Sequence, residues 1–474
     1  MLLRTSALLL ALVATSALAQ STPASLPPTA DQQLAHDIYK QFIEIKSGYT
    51  SGSTTPVAEA AAAHVRAAGF PDSDIFLGGP IPTKQNLVVR LHGRAAPGQA
   101  AHKPLLLIAH EDVVEANRAD WSPNLDPYVL TEKDGYFYGR GTSDDKDQAA
   151  VWIANLIRMR REGFVPDRDI IVALTADEEG GGPYSGVQWL LAHHRDLIDA
   201  EFALNEGGYG ELSHGVRLSN DLQPAEKYMV SFRFEVHNKG GHSSLPVPDN
   251  AIYRLAGALT RLGAFGFPLK TNQATAAYFQ QMSQIETGPA AAALAGFDPA
   301  SQASLQRAAA ASPTWNAMLR TTCVATQLEG GHAINALPQL AAANINCRVL
   351  PEDSVDYVQA TLKRVVADDQ VSIAILGESD QGPASPLTPQ ITAAVAAATQ
   401  QEWPGVPVVP VMVPYATDGK YLRQAGIPTY GVQGFFMDRD DIRFHGRDER
   451  LLVRSFFEGQ QFLYTLTKAL TISK

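Results

Sequence analysis

Between residues 86 and 210 the chain alternates short apolar runs with helical patterns, and this alternation constrains the fold more than any other feature. Asn86–Leu91, Pro104–Ala109, Asp169–Ala173 and Glu201–Leu204 read as strands; Asp147–Arg161, ended by Gly163, and Tyr184–His194 read as helices. Such alternation predicts a largely parallel sheet covered by helices, because parallel neighbours need a crossover connection. Near residue 223 the character changes. Lys227–Val236 alternates apolar and polar, Asn250–Leu262 carries a helical stripe, and an Ala-rich helical stretch runs over 273–318. Thr321–Leu328, Ala341–Val349, a helix over Val355–Val366, and Gln370–Ile375 follow. With the helical stretch set aside the order is β-α-β-β-α-β, the ferredoxin-like signature. After Pro389 the α/β pattern resumes with a helix through Ala398, apolar segments at Val408–Val413 and Pro428–Val432, and a last helix near Leu452–Leu470. The expected fold class is therefore α/β: a larger, mostly parallel domain in two parts, 31–222 and 381–474. A smaller α+β domain over 223–380 interrupts it.

At 474 residues, two or more domains are expected. The formal net charge is −11, which offers no basic footprint for nucleic acid. At the start, Arg4 precedes an apolar run, Ala7–Ala14, and Ala17-Leu18-Ala19 has the small-x-small form of a cleavage site. These features predict a cleaved signal over 1–19 and a Pro- and Ser-rich lead-in over 20–30, hence export to a periplasm or the exterior. The run is too short to span a bilayer, which takes roughly 20 apolar residues, so no stable membrane insertion is expected. The only two cysteines, Cys323 and Cys347, lie symmetrically about residue 335 on two expected strands. A cross-strand disulfide and a pair of buried free thiols both fit. Two cysteines cannot build a Cys-rich zinc site, so any metal must rest on histidine and carboxylates.

Five segments carry candidate chemistry. In LLLIAHEDVV a buried-looking strand ends at His110, with Asp112 two residues on; metal-bound histidines commonly donate their second N–H to a nearby carboxylate. GRGTSDDKD delivers Asp144 and Asp145 to the start of a helix, where helix capping is the plainer role. IIVALTADEEGGG ends a strand in Asp177-Glu178-Glu179; three adjacent carboxylates repel, so a compact loop wants a cation or full solvation. AEFALNEGG ends a strand at Glu206, and RFHGRDERL places His445 after the apparent last strand. Each is weak alone, but ligands of open α/β sheets bind at the carboxyl ends of the strands. His110, Glu178, Glu179 and Glu206 all fall there. Oxygen and imidazole donors without thiolates suit zinc, with manganese or cobalt as substitutes.

In their order and spacing, HEDVV, GRGTSDDK, TADEEGGG, LNEGG, KGGHSSLP and the late His445 resemble the M20 metallopeptidase family, and span most of the chain after the expected signal. LNEGG and KGGHSSLP resemble its carboxypeptidase S and N-acyl-amino-acid hydrolase branch most. The resemblance implies a two-zinc site in which Asp144 bridges, His110 and Glu206 complete one metal, and Glu179 and His445 the other. It implies Glu178 as general base, Asp112 as the carboxylate orienting His110, and His242 as the group reaching the substrate oxyanion, often from a partner subunit. Asn335 in INALP and Arg348 in CRVLP resemble the groups that hold a substrate carboxylate. A homodimer through the smaller domain, a lid, is a further implication; the helical stretch 273–318 could add to that interface or block it. Two departures bear on substrate shape: Asp147 stands where the family usually has Gly, and YATDGKY lacks paired glycines before Asp418.

The expected chemistry is hydrolysis of an amide in short peptides or N-acyl amino acids. A hydroxide bridging two metals attacks, Glu178 moves the proton to the leaving amine, and His242 helps hold the oxyanion. A dipeptidase of the same family is the alternative within this class. A catalytically inactive metal- or peptide-binding protein is the alternative outside it, and retention of Glu178, expected to bind no metal, argues against that.

Overall fold

The computed structural model describes residues 29–94, 102–377, 379 and 381–472. The expected signal segment 1–19 and most of the lead-in lie outside these residues. The order begins where Thr29 caps a helix over Ala30–Glu44, its side chain accepting from the Gln32 N–H.

A 10-stranded sheet forms the larger unit. Its centre is four parallel strands, in the order Ile170–Thr175, Leu105–His110, Phe202–Asn205, Thr429–Gly431. Each was expected within a residue or two, because all four are buried at every position and therefore read as continuous apolar runs. Successive side chains point to opposite faces. Leu105, Leu107, Ala109, Ile170, Val172 and Leu174 join the core under helices Ala30–Glu44, Thr55–Ala67, Lys146–Arg161 and Val453–Leu470. Leu106, Ile108, Ile171 and Ala173 join a second core under Gly186–His193 and Gly419–Gln424. Truncating a residue such as Leu107, 2% exposed, costs about 2–5 kcal/mol.

The connections decide where the site lies. From Leu105–His110 the chain crosses by Lys146–Arg161 to a strand on one side, then by Gly186–His193 to Phe202–Asn205 on the other. Strand order therefore reverses around the His110 strand, and the two crossover helices leave on opposite faces. A crevice opens at the carboxyl ends of the strands at such a switch point.

Several edge elements were not anticipated. Ile75–Ile81 pairs antiparallel with Lys84–Leu91, and Val216–Glu226 runs on in the large sheet beside Val408–Val413. Short strands Gly210–Ser213 and Phe436–Asp438 complete it. His445 does not follow the last strand, as expected, but lies in the loop between Phe436–Asp438 and Arg450–Leu452. Those strands are short and mix polar with apolar residues, which is why no periodicity marked them.

The smaller unit is a four-stranded antiparallel sheet in the order Thr322–Gly330, Leu340–Val349, Tyr228–His237, Val371–Leu376. That is the ferredoxin-like arrangement. Tyr228, Val230, Phe232, Phe234 and Val236 alternate inward against Ala251–Ala264 and Val355–Val366. Cys323 and Cys347 are register partners and form a disulfide, so of the two readings the cross-strand bridge holds. The helical stretch resolves into Gln273–Ile285, Gly288–Leu294, Gln302–Ala311 and Pro313–Leu319. It packs on Val409, Val411 and Val413 of the large sheet rather than on the smaller one. Among the described residues, no helix is long and apolar enough to cross a membrane.

Candidate metal centre

The crevice is a cavity of ≈ 320 Å³ lined by Asp144, Glu178, Glu179, Glu206 and His445, with Ser143, Gly207, Tyr209, Tyr415, Ala416, Gln433 and Phe444. Its centre is Asp144. One carboxylate oxygen meets His110 Nε2 at 3.0 Å, and the other meets His445 Nε2 at 3.0 Å. Glu206 lies 3.9 Å from His110 Nε2, and Glu179 lies 3.1 Å from His445 Nε2. Two overlapping groups, His110–Asp144–Glu179 and His110–Glu178–Glu206, each bring their ligand atoms within 4.8 Å of one another.

Each side chain is placed by a local device. His110 Nδ1 sits 3.0 Å from the carbonyl of Asp112, which fixes the ring and leaves Nε2 to face Asp144. The Asp112 carboxylate is 3.8 Å from that Nδ1, and its two oxygens instead accept the backbone N–H groups of Glu178 and Glu179 at 3.1 and 3.0 Å. Asp112 thus holds the turn bearing both glutamates. The triplet of carboxylates divides: Asp177, at φ +62°, turns back to a buried ion pair with Lys84 at 2.9 Å, and the next two face the cavity. After Glu206 the chain must bend sharply beside the Thr429–Gly431 strand. At Gly208, φ +58°, a Cβ would lie 2.3 Å from the Gly431 carbonyl, so only glycine fits.

A buried pair joins the Asp144 loop to the His445 loop. Arg140 binds Glu449 at 2.6 Å and donates to the carbonyls of His445 and Gly446 at 3.1 and 3.0 Å. Glu449 accepts from the N–H groups of Gly141 and Ser143 at 3.1 and 3.0 Å. The sequence reading missed this clamp, although both residues sit inside motifs it quoted, because pairing 309 residues apart leaves no local signal.

Charge in the cavity is unbalanced. Among the described residues, no lysine or arginine lines it. Burial pushes the Glu178 and Glu206 carboxyls well above their usual range, against the pull of His110; Asp418 adds to the first and Glu178 to the second. Burial opposes a charged His110 ring, yet Glu206 and Asp144 raise it well above its ordinary value. Hydrogen bonds to Asp144 and Glu179 raise His445 to about 10. Burial likewise opposes ionised Asp144, but the two histidines draw it well below the carboxylate range. Four desolvated carboxylates around two imidazoles form a donor set that fits divalent cations, with oxygen and nitrogen donors and no thiolate.

The remaining expected residues lie elsewhere. Asp145 turns aside, buried, to accept from Gln433 at 3.3 Å. Asp147, in the first turn of Lys146–Arg161, is buried with neither oxygen hydrogen-bonded. Asp418 accepts from Thr175 at 2.7 Å, and burial lifts it to about 6. His242 is exposed on a ribbon, Gly241–His242 against Ala336–Leu337, where its Nδ1 accepts from the Ser244 N–H at 3.1 Å. Asn335 is beside it, its carbonyl accepting from the Ser243 N–H at 3.0 Å. Arg348 is half-buried on Leu340–Val349, in register with Met229 and Thr322. None of these three lines the cavity. Conversely, Tyr209, Tyr415 and Phe444 line it without having been singled out; an aromatic beside a ligand looks, in sequence, like any core aromatic.

The carboxylate–imidazole cluster is a candidate metal site of a hydrolase. The chain belongs to peptidase family M20/M25/M40, whose model matches residues 106–469. It is 27% identical over 384 residues to the human N-fatty-acyl-amino acid synthase/hydrolase PM20D1, covering 77% of this chain and 73% of that protein. It is 29% identical over 380 residues to probable carboxypeptidase S-like 2 of Dictyostelium discoideum, covering 77% and 71%. The fold is shared with the M20 metallo-carboxypeptidase Sso-CP2 of Sulfolobus solfataricus at a TM-score of 0.67 and 14% identity, over 92% of this chain and 99% of that one.

Proposed function

We propose that this chain is a two-zinc amide hydrolase that releases an amino acid from N-acyl amino acids or from the carboxyl ends of short peptides. The observation that carries the reading is the double engagement of Asp144, one oxygen towards each of two imidazoles, inside a desolvated and otherwise anionic cavity. Asp144 would be shared, with His110 and Glu206 on one ion and Glu179 and His445 on the other; cobalt or manganese would serve as substitutes. Bound ions of this kind lower the pKa of water and polarise a carbonyl.

The chain's own groups do the rest. Glu178 takes a proton from the attacking water and delivers it to the leaving nitrogen. Asp112 holds the Glu178–Glu179 backbone, so base and ligand keep one spacing. His242 stabilises the developing oxyanion while Asn335 and Arg348 take the substrate carboxylate. Because the ribbon bearing His242 is exposed and away from the cavity, this step needs movement of the smaller domain or its supply by a second copy of the chain. A homodimer through that domain is part of this reading, as is export through the segment 1–19. The relatives' names, an N-fatty-acyl-amino acid hydrolase and a carboxypeptidase, favour these substrates over dipeptides.

The test is metal content of the purified chain, measured with hydrolysis of a panel of N-acyl amino acids and dipeptides. About two zinc per chain with chelator-sensitive turnover is expected. A chain that takes up no metal, or takes it up and cleaves no amide, would be a binding protein instead.

A further inference from the structure

The cavity has two unlike sides. Carboxylates and imidazoles gather at the strand ends; Tyr209, Phe444 and Tyr415 face the same space. Tyr209 and Phe444 meet edge to face, with ring centroids 6.1 Å apart. Such a pair presents a large apolar surface of fixed shape. Tyr209 comes three residues after Glu206, and Phe444 immediately precedes His445. Both rings therefore ride on loops that also carry metal-facing groups, which fixes the wall at a set distance from the reacting carbonyl.

The wall is braced from behind. Arg439, just past the Phe436–Asp438 strand and on the way to Phe444, grips Glu286 of the helical stretch with two hydrogen bonds, at 2.7 and 3.1 Å. Burial, with the Glu211 and Asp221 carboxylates adding to it, raises the Tyr209 phenol, so that ring stays neutral. At the other edge Tyr415 is 39% exposed, so the wall opens to solvent there.

We propose that Tyr209, Phe444 and Tyr415 form the subsite for the acyl side of the scissile amide, and that the preferred substrates carry an aliphatic or aromatic acyl group. This rests on the amide-hydrolase reading. Orientation follows from the side chains: among the described residues no lysine or arginine lines the cavity to grip a carboxylate, whereas Arg348 and Asn335 belong to the smaller domain. The amino acid end therefore points to that domain and the apolar end lies on the aromatic wall. A cavity of ≈ 320 Å³ is near the lower limit of ligand pockets, roughly 300–1,000 Å³, which favours short to medium chains.

The experiment measures kcat/KM of the full chain, loaded with zinc, on N-acyl phenylalanines with acetyl, butanoyl, hexanoyl, octanoyl and benzoyl groups. Burial of each methylene raises kcat/KM by roughly 3–4-fold until the subsite fills. Tyr209→Ala and Phe444→Ala flatten that rise to under about 2-fold per methylene, and Phe444→Trp moves the optimum to a shorter chain. Metal content and melting temperature are read on every variant, so that loss of the neighbouring His445 site is not mistaken for loss of selectivity. A chain-length slope that survives in both alanine variants, with metal retained, overturns the subsite and leaves the hydrolase reading intact. Wild type that trims short peptides but cleaves none of the acyl series overturns the subsite, and wild type that cleaves neither overturns the hydrolase reading itself.

Discussion

His110, at the carboxyl end of its strand, is 2% exposed and held on both ring nitrogens, whereas His242, on the ribbon of the smaller domain, is exposed and held on one. The same contrast separates Asp144 and Glu206 from Asn335. At the strand ends of the large sheet His110 is buried and the carboxylates are half-buried and interlocked with it; the groups on the ribbon rest on a two-residue ladder open to solvent. Burying four carboxylates side by side is costly, and only a rigid frame keeps them from moving apart. Exposed groups on a ribbon carry no such cost, and in the proposed reading they reach the substrate only when the smaller domain or a second copy brings them in.

The comparison breaks most decisively at Asp144. If both ions share it, Asp144→Ala lowers metal content from about two per chain towards zero and abolishes turnover, as metal analysis beside a rate assay would reveal. Retention of both ions would mean that the two imidazoles hold separate sites. Next comes Glu178→Ala, expected to lower kcat by about 10²–10⁴-fold with metal content unchanged, because in the proposed reading the side chain moves a proton rather than holding an ion. His242→Ala is expected to lower kcat by roughly 10²–10³-fold, also without metal loss. Equal rates for wild type and this variant would remove the ribbon from the chemistry.

How far the sequence discloses this division depends on range. His110, the Glu178–Glu179 pair and Glu206 stand out because each follows a buried apolar run, and three such runs in parallel force their ends together. The β-α-β-β-α-β order of the smaller domain is equally plain, since alternation and helical stripes are local patterns. The Arg140–Glu449 clamp, the turn of Asp177 towards Lys84, and the packing of 273–319 on Val409–Val413 are contacts between distant segments. Nothing in a window of ten residues encodes them. The aromatic wall is hidden for another reason: Tyr209 and Phe444 are half-buried rings, chemically indistinguishable in sequence from Phe435 or Phe436 in the core.

The two regions also differ in what stabilises them. In the smaller domain the Cys323–Cys347 bridge closes a segment with a separation of 24 residues, and removing it by paired Cys→Ser changes should cost about 2–4 kcal/mol. A thermal melt with and without reductant checks this; an unchanged melt would mean that strand pairing alone holds that end of the smaller sheet. Metal content of the reduced protein should not change, since the large sheet owes nothing to that bridge.

The smallest effect lies behind the aromatic wall. Asp221 is buried, accepts from Ser219 Oγ at 2.7 Å, and is raised well above the usual carboxylate range by burial, with Glu211 adding to it. The folded chain therefore keeps a proton there at pH values where the unfolded chain has lost it. Its contribution to stability is complete below the ordinary carboxylate range and is lost as pH rises through the higher folded value. Asp221→Asn cannot ionise and keeps the oxygen that Ser219 reaches. Its melting temperature should exceed that of wild type by a margin that widens with pH, on the order of a few degrees at the alkaline end. A margin that is constant with pH would show that Asp221 titrates alike in the folded and unfolded chain, so that burial does not keep it protonated. The back of the aromatic wall would then hold a charge, and the contrast between the packed strand ends and the open ribbon would have to be redrawn.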